Sequence, residues 1–250
     1  MRTLLSLIRK IFFKKKYKTY TDKEIENYFF ALLKCAELDI ISSNSLNSEK
    51  RKAYSVILYH IQQAIEKMTK AELLHRKLIS IDQLKEINHK TPSAFMFSLI
   101  SAMEDKQINS FIKARVPQES LNEAKKLIKN PNKIINFSEQ ELKVVIGYYE
   151  IFKNSRIPDT LYSEAQKELP PEKIKDYSKE RADIFMNLYF LSWITFPHEE
   201  LTRYPNGKIN PFDYTNEKPI IKVLPQLLET TNKIYSDIKK FYKINGEKEI

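Results

Sequence analysis

Glycine is scarce, with three residues in 250. Gly-rich phosphate loops, dinucleotide-binding fingerprints and tight left-handed turns all need it at fixed positions, so those nucleotide folds are disfavoured. Cysteine is scarcer still. Cys35 alone, inside an apolar helical stretch, cannot build a disulfide framework, and a reducing, cytoplasmic compartment is expected. Histidine occurs at 60, 75, 89 and 198 only, without ligand-like spacing. Neither HExxH nor CxxC is present, so no metal and no other cofactor is expected. Long apolar runs are missing too. The longest, IFMNLYFLSWITF, is interrupted by Asn187 and Ser192 and is too short to span a bilayer, which predicts a soluble protein. Alternating strand patterns are nearly absent, KPIIKVLP being the one short candidate.

What is abundant is lysine. The chain carries 42 basic residues against 32 acidic ones, a net charge of +10. Such an excess favours polyanions: RNA, DNA or an anionic membrane surface. Residues 1–20, MRTLLSLIRKIFFKKKYKTY, form a basic amphipathic segment, with Leu4, Leu5, Ile8, Ile11 and Phe12 on one helical stripe ahead of Lys14 to Lys16. Two readings stand for it. It is a terminal helix packed on the fold with a solvated lysine run, or residues 1–18 touch a membrane surface.

Helical signals dominate the rest, and the fold class they predict is all-α. Thr21 with Glu24, Ser80 with Gln83 and Ser138 with Glu141 each match a capping box, which satisfies orphan N–H groups at a helix start. Ile25, Phe29, Leu32, Leu33 and Ala36 have amphipathic-helix spacing. SSNSLNS, 42–48, reads as a loop, and a long helix then runs over about 49–77. Thr91-Pro92 starts another helix. Shorter helices are predicted at 118–129 and 139–153, and the proline-bearing stretch 154–173 reads as an irregular excursion. A helix over about 173–195 is apolar nearly all round, which marks it as central. The last helix opens near Pro225 and sets Leu227, Thr231, Ile234, Ile238 and Phe241 at three-four spacing.

Within the long helix, AYSVILYHIQQAIEKMTKAELLHRK carries a core stripe of Ile57, Ile61, Ala64, Met68 and Ala71. Beside it lie His60, Gln63, Lys67 and Lys70, with Glu66 and Lys70 paired at i,i+4. Such a polar rank suits a helix–helix seam or a polar cleft. The run Tyr59, Gln62, Gln63, Ala64, Glu66, Lys67, Lys70, Ala71 resembles the second core helix of the HEPN family, small helical-bundle domains. A second match lies far along the chain: HEELTRYPNG, 198–207, is similar to the Thr-Arg-Tyr-Pro step before the last HEPN helix. The resemblance implies one helical domain over 21–250: an up-down HEPN-like core, 22–90 plus 180–243, with extra helices inserted at about 91–178. It also implies a homodimer, an RNA or nucleotide ligand, a nucleotidyltransferase-type partner protein, and a defence or toxin–antitoxin setting.

Nuclease members of that family carry Arg, four to six residues, then His. Here that pair is missing. Arg51 and His60 have eight residues between them, Arg76 and His89 twelve, and only the reversed His198 and Arg203 have four. The resemblance therefore implies a module that binds RNA, nucleotide or a partner protein without the usual centre. The alternative is a metal-independent endoribonuclease rearranged around His198 and Arg203, the imidazole shuttling a proton and the guanidinium bracing a phosphate. His198 after Pro197 also reads as part of a capping turn. Arg203 and Tyr204 are candidate nucleotide-binding residues, and Arg203 equally reads as an anchor for a helix C-terminus or a carboxylate. Lys67 and Lys70 are candidate phosphate contacts or plain solvated lysines. His60 reads as a seam histidine, and His89 as the end of a short helix.

Overall fold

The computed structural model describes residues 18–50, 52–87, 95, 163, 167, 179–199, 201–204 and 210–244. Numbering the helices described, α1 is Asp22–Ser48, α2 Tyr54–His75, α3 Ile81–Ile87, α4 Lys179–Thr195, α5 Pro219–Lys222 and α6 Leu224–Phe241. Short 3-10 turns occupy Phe196–His198 and Pro211–Asp213. No strand forms among the described residues, and the fold is all-α. None of their helices is long and apolar enough to cross a membrane. The N-terminal segment (but for its last residues), His89, the Ser138 box and nearly all of the insertion lie outside the described residues.

α1 starts where its cap places it. Thr21 Oγ1 accepts from the Glu24 amide at 3.2 Å, and the Glu24 carboxylate accepts from the Thr21 amide at 2.8 Å. Its three-four spacing buries Phe29, Leu33, Ala36 and Ile40, while Cys35 on the opposite side is exposed. The stretch 42–48 is helical, not the loop its composition predicts. Serine and asparagine disfavour helix interiors because their side chains compete for backbone groups. Here they bond within the helix or across it: Ser43 and Ser48 donate to the Ile40 and Ser45 carbonyls, and Asn44 pairs with Asn232 of α6 at 2.9 Å. With Leu46 packed on the core, tertiary contact outweighs propensity.

α2 is the axis of the described helices. Ile57, Ile61, Ala64, Met68 and Ala71 are all fully buried, and the helix packs against α1, α4, α6 and α3. α4 also enters the core, burying Ile184, Leu188, Leu191 and Ile194, while Phe185 and Tyr189 pack against Phe95. KPIIKVLP is helical as well, forming α5 and the start of α6. An apolar run of that length fits strand or helix equally, and prolines in the first turns of both helices favour the latter.

Residue pairings give the topology. Asp39 meets His60 and Lys67, and Phe29 meets His75, so α1 and α2 run antiparallel. Thr69 and Glu72 reach Ser192 and Arg181, which makes α4 antiparallel to α2. Asn44 with Asn232 and Phe29 with Tyr242 make α6 antiparallel to α1. The four long helices form an up-down bundle, with α3 closing a smaller apolar cluster of Leu73, Leu74, Ile79, Ile81 and Leu84.

At one end of the bundle a buried polar knot joins three of those helices. Glu72, 1 % exposed, accepts from Arg181 Nε at 3.2 Å and from the Tyr242 hydroxyl at 2.7 Å. His75 Nδ1 stands 3.5 Å from the Arg181 guanidinium, its ring packed between Phe29 and Tyr242. Burial, then the Glu72 charge, pushes the Tyr242 hydroxyl pKa far up, so the phenol stays a donor.

Glycine scarcity shows at two helix ends. Lys77 and Lys243 adopt left-handed φ values of 56° and 52°. After α2, Lys77 N–H bonds the Leu74 carbonyl at 2.9 Å and Leu78 N–H the Leu73 carbonyl at 3.1 Å; Lys243 and Ile244 repeat the pattern after α6. These are Schellman caps with lysine where glycine is usual.

Two stability tests follow from this packing. Glu72→Leu removes the buried carboxylate that accepts from both Arg181 and Tyr242 and lowers unfolding free energy by about 3–5 kcal/mol, while adding Arg181→Met restores part of it; urea melts check both. Lys77→Gly relieves the left-handed penalty and stabilises by about 1 kcal/mol, since the Lys77–Asp22 pair it removes is exposed.

Candidate functional site

The opposite end of the bundle gathers the residues singled out in the second motif. After Pro197 the chain makes a tight turn in which the Thr202 amide and hydroxyl both donate to the His198 carbonyl, at 3.0 and 2.8 Å. That turn directs Arg203 back along itself. Its Nε donates to the Glu199 carbonyl at 3.2 Å and its Nη2 to the Glu199 carboxylate. The guanidinium also lies 5.5 Å from the Tyr59 ring centroid and 5.5 Å from that of Tyr204, within cation–π range of both. Arg203 is thus both carboxylate partner and carbonyl anchor. Its contact with Tyr59 brings the start of the Tyr59–Ala71 segment and residues 202–204 of the second motif together at one corner. Tyr204 is 64 % exposed beside it.

His198 shares the turn but faces elsewhere. Its Nδ1 is 2.8 Å from the Tyr214 hydroxyl, while Nε2 is buried without a partner. Burial, reinforced by the Lys218 charge, lowers its pKa from 6.5 to about 4, so the imidazole is neutral at pH 7. Tyr214 is pushed up by burial. No hydrogen bond joins the His198 and Arg203 side chains among the described residues.

Lys67 and Lys70 lie along the α1–α2 seam, each already engaged. Asp39 of α1 takes His60 Nδ1 at 2.9 Å on one carboxylate oxygen and the Lys67 ammonium on the other. A chain of bonds then continues down α2. Lys67 reaches Gln63 at 3.4 Å, Gln63 donates to Gln62 at 2.7 Å, Gln62 to Glu66 at 3.3 Å, and Lys70 to Glu66 at 2.6 Å. Gln62, Gln63 and Glu66 are buried. Their polarity is tolerated because each finds a partner.

Asp39, Glu72, Arg181 and Tyr242 were not singled out in the sequence. Gln62, Thr69 and Glu72 fall at helical spacing beside the core stripe, a signal that polar groups line that flank. Nothing local shows which distant residue answers each. No group of three or more His, Cys, Asp or Glu that could hold a metal ion occurs among the described residues.

The His198 shift has a measurable consequence. The unfolded chain protonates this imidazole near pH 6.5 and the folded chain only near 4. Its contribution is therefore full above about pH 6.5 and is lost as pH falls toward 4. Relative to His198→Asn, which can keep the Tyr214 hydrogen bond but does not titrate, wild type loses about 2 kcal/mol between pH 7.5 and pH 5 in urea melts. Compared with models of protein families, with curated proteins and with solved structures, the chain finds no match in any of the three.

Proposed function

We propose that the chain is a HEPN-like helical module that binds RNA or a nucleotide without cutting it. The observation that carries this reading is the Arg203–Tyr59 contact, which sets the two HEPN-like segments against each other beside an exposed Tyr204. A cation flanked by aromatic rings suits a phosphate with its base stacked alongside. The +10 charge adds long-range attraction for a polyanion. A cytoplasmic homodimer, in a defence or toxin–antitoxin setting and beside a nucleotidyltransferase-type partner, belongs to the same reading. A nuclease centre at His198 and Arg203 is the poorer fit. The buried, neutral imidazole gives Nδ1 to Tyr214 and has no open edge for a ribose hydroxyl.

The test is titration of single-stranded RNA and of ATP at several salt concentrations, with and without chelator. Affinity falls as salt rises, Arg203→Ala weakens it roughly three- to tenfold, and the RNA stays intact. Binding indifferent to both salt and that substitution overturns the proposal. Chelator-resistant cleavage lost in His198→Ala would instead place a nuclease at the turn.

A further inference from the structure

The seam between α1 and α2 holds a constellation that the turn at 198–204 does not use. One carboxylate, Asp39, grips two cationic-type side chains, His60 through Nδ1 at 2.9 Å and Lys67 through Nζ. Both of its oxygens are engaged by these bonds, and the neighbouring ammonium offsets its negative charge. Fixing Nδ1 also fixes the ring: His60 Nε2 is the edge left over, and the side chain is about a quarter exposed. Lys67, equally exposed, keeps a third proton beyond its bonds to Asp39 and Gln63. The Tyr59 ring meets His60 edge to face at 5.3 Å, and the Arg203 guanidinium lies on that same Tyr59 ring. The seam is thereby continuous with the Arg203–Tyr204 corner.

We propose that His60 and Lys67, oriented by Asp39, form a phosphate-binding site on the α1–α2 seam. In the complex the ring carries a proton on both nitrogens, and its Nε2–H and the Lys67 ammonium donate to phosphoryl oxygens of the ligand. Asp39 is a positioning residue, holding both donors in place without touching the ligand. The inference rests on the RNA- or nucleotide-binding reading for its natural ligand, and the phosphate comes from an RNA backbone or from a free nucleotide. A donor pair held by a carboxylate loses less side-chain freedom on binding than two free surface cations would.

The experiment measures binding of oligouridylate, ATP and inorganic pyrophosphate to wild type, His60→Asn, Lys67→Gln and Arg203→Ala, each across a salt series, with thermal melts alongside. Asparagine places its amide where Nδ1 sits, so His60→Asn can keep the Asp39 bond while deleting the outward donor. The expected result is about tenfold weaker binding in His60→Asn and in Lys67→Gln. Each also shows a slope of log affinity against log salt reduced by about one, with the melting temperature little changed. A purely structural role would lower the melting temperature and leave that slope alone, and this outcome overturns the site. So does unchanged affinity in His60→Asn while Arg203→Ala weakens binding, which leaves the RNA- or nucleotide-binding reading standing. Pyrophosphate bound through His60 with neither oligouridylate nor ATP bound keeps the site and removes the reading. Binding of none of the three by wild type removes both. Oligouridylate bound in preference to ATP identifies a strand backbone as the source of the phosphate; the reverse identifies a free nucleotide. Should either variant fail to fold, the side-chain nitrogen resonances of wild-type His60 decide: they shift on adding ligand if the site is occupied and stay put if it is not.

Discussion

A charged group taken out of water has to find partners of opposite sign or donors aimed at it, and Glu72 meets that demand from three helices at once. Its own helix presents it at the seam, α4 supplies Arg181, and Tyr242 reaches in from just beyond α6. The geometry that satisfies this carboxylate also sets the register of α4 and α6 on α2. A slip of one turn along either helix would leave Glu72 and Arg181 buried and apart. Hydrophobic burial drives the helices together without preferring one register sharply; the polar knot makes one arrangement much better than its neighbours. A pair such as this adds little net stability against a well-packed apolar substitute, so definition of the bundle is its clearer contribution.

The same requirement explains the rest of the polar flank of α2. His60, Gln62, Gln63, Glu66, Lys67 and Lys70 form a connected chain anchored to α1 through Asp39. Glutamines inside it act as spacers, each accepting from one neighbour and donating to the next. At one end stands the Arg203–Tyr59 corner, and at the other the Glu72 knot. Functional chemistry proposed for this protein therefore sits at the less buried end of a single polar seam. Side chains there are held by bonds already made rather than waiting in solvent, which limits how far they can move toward a ligand and favours a pre-formed site.

Much of the fold was legible in advance. Three-four spacing gave α1, α2 and α6 their buried faces, and the Thr21 and Ser80 boxes placed helix starts within a residue. Misreadings arose where local composition and tertiary context disagreed. The serine-rich 42–48 stretch is helical because α6 and the core hold it, and KPIIKVLP is helical because its prolines open turns of helix. The candidate site was less legible. Arg203 and Tyr204 were marked by their motif, yet Glu199 and Tyr59, which decide how Arg203 is held, lie four residues and one helix away. Asp39 was missed because a single aspartate in ELDII looks like any surface carboxylate.

Periodicity and capping are properties of neighbouring residues, so most of the helix content and the buried stripes of the described residues were set by the order of amino acids along the chain. Partnerships between residues tens of positions apart are not local. Which carboxylate meets which cation, that His198 is sealed against Tyr214, and that Tyr59 and Arg203 touch were settled only when the helices packed. A buried polar group takes whatever partner the packing places within about 3 Å, and no spacing rule in a single helix encodes that choice.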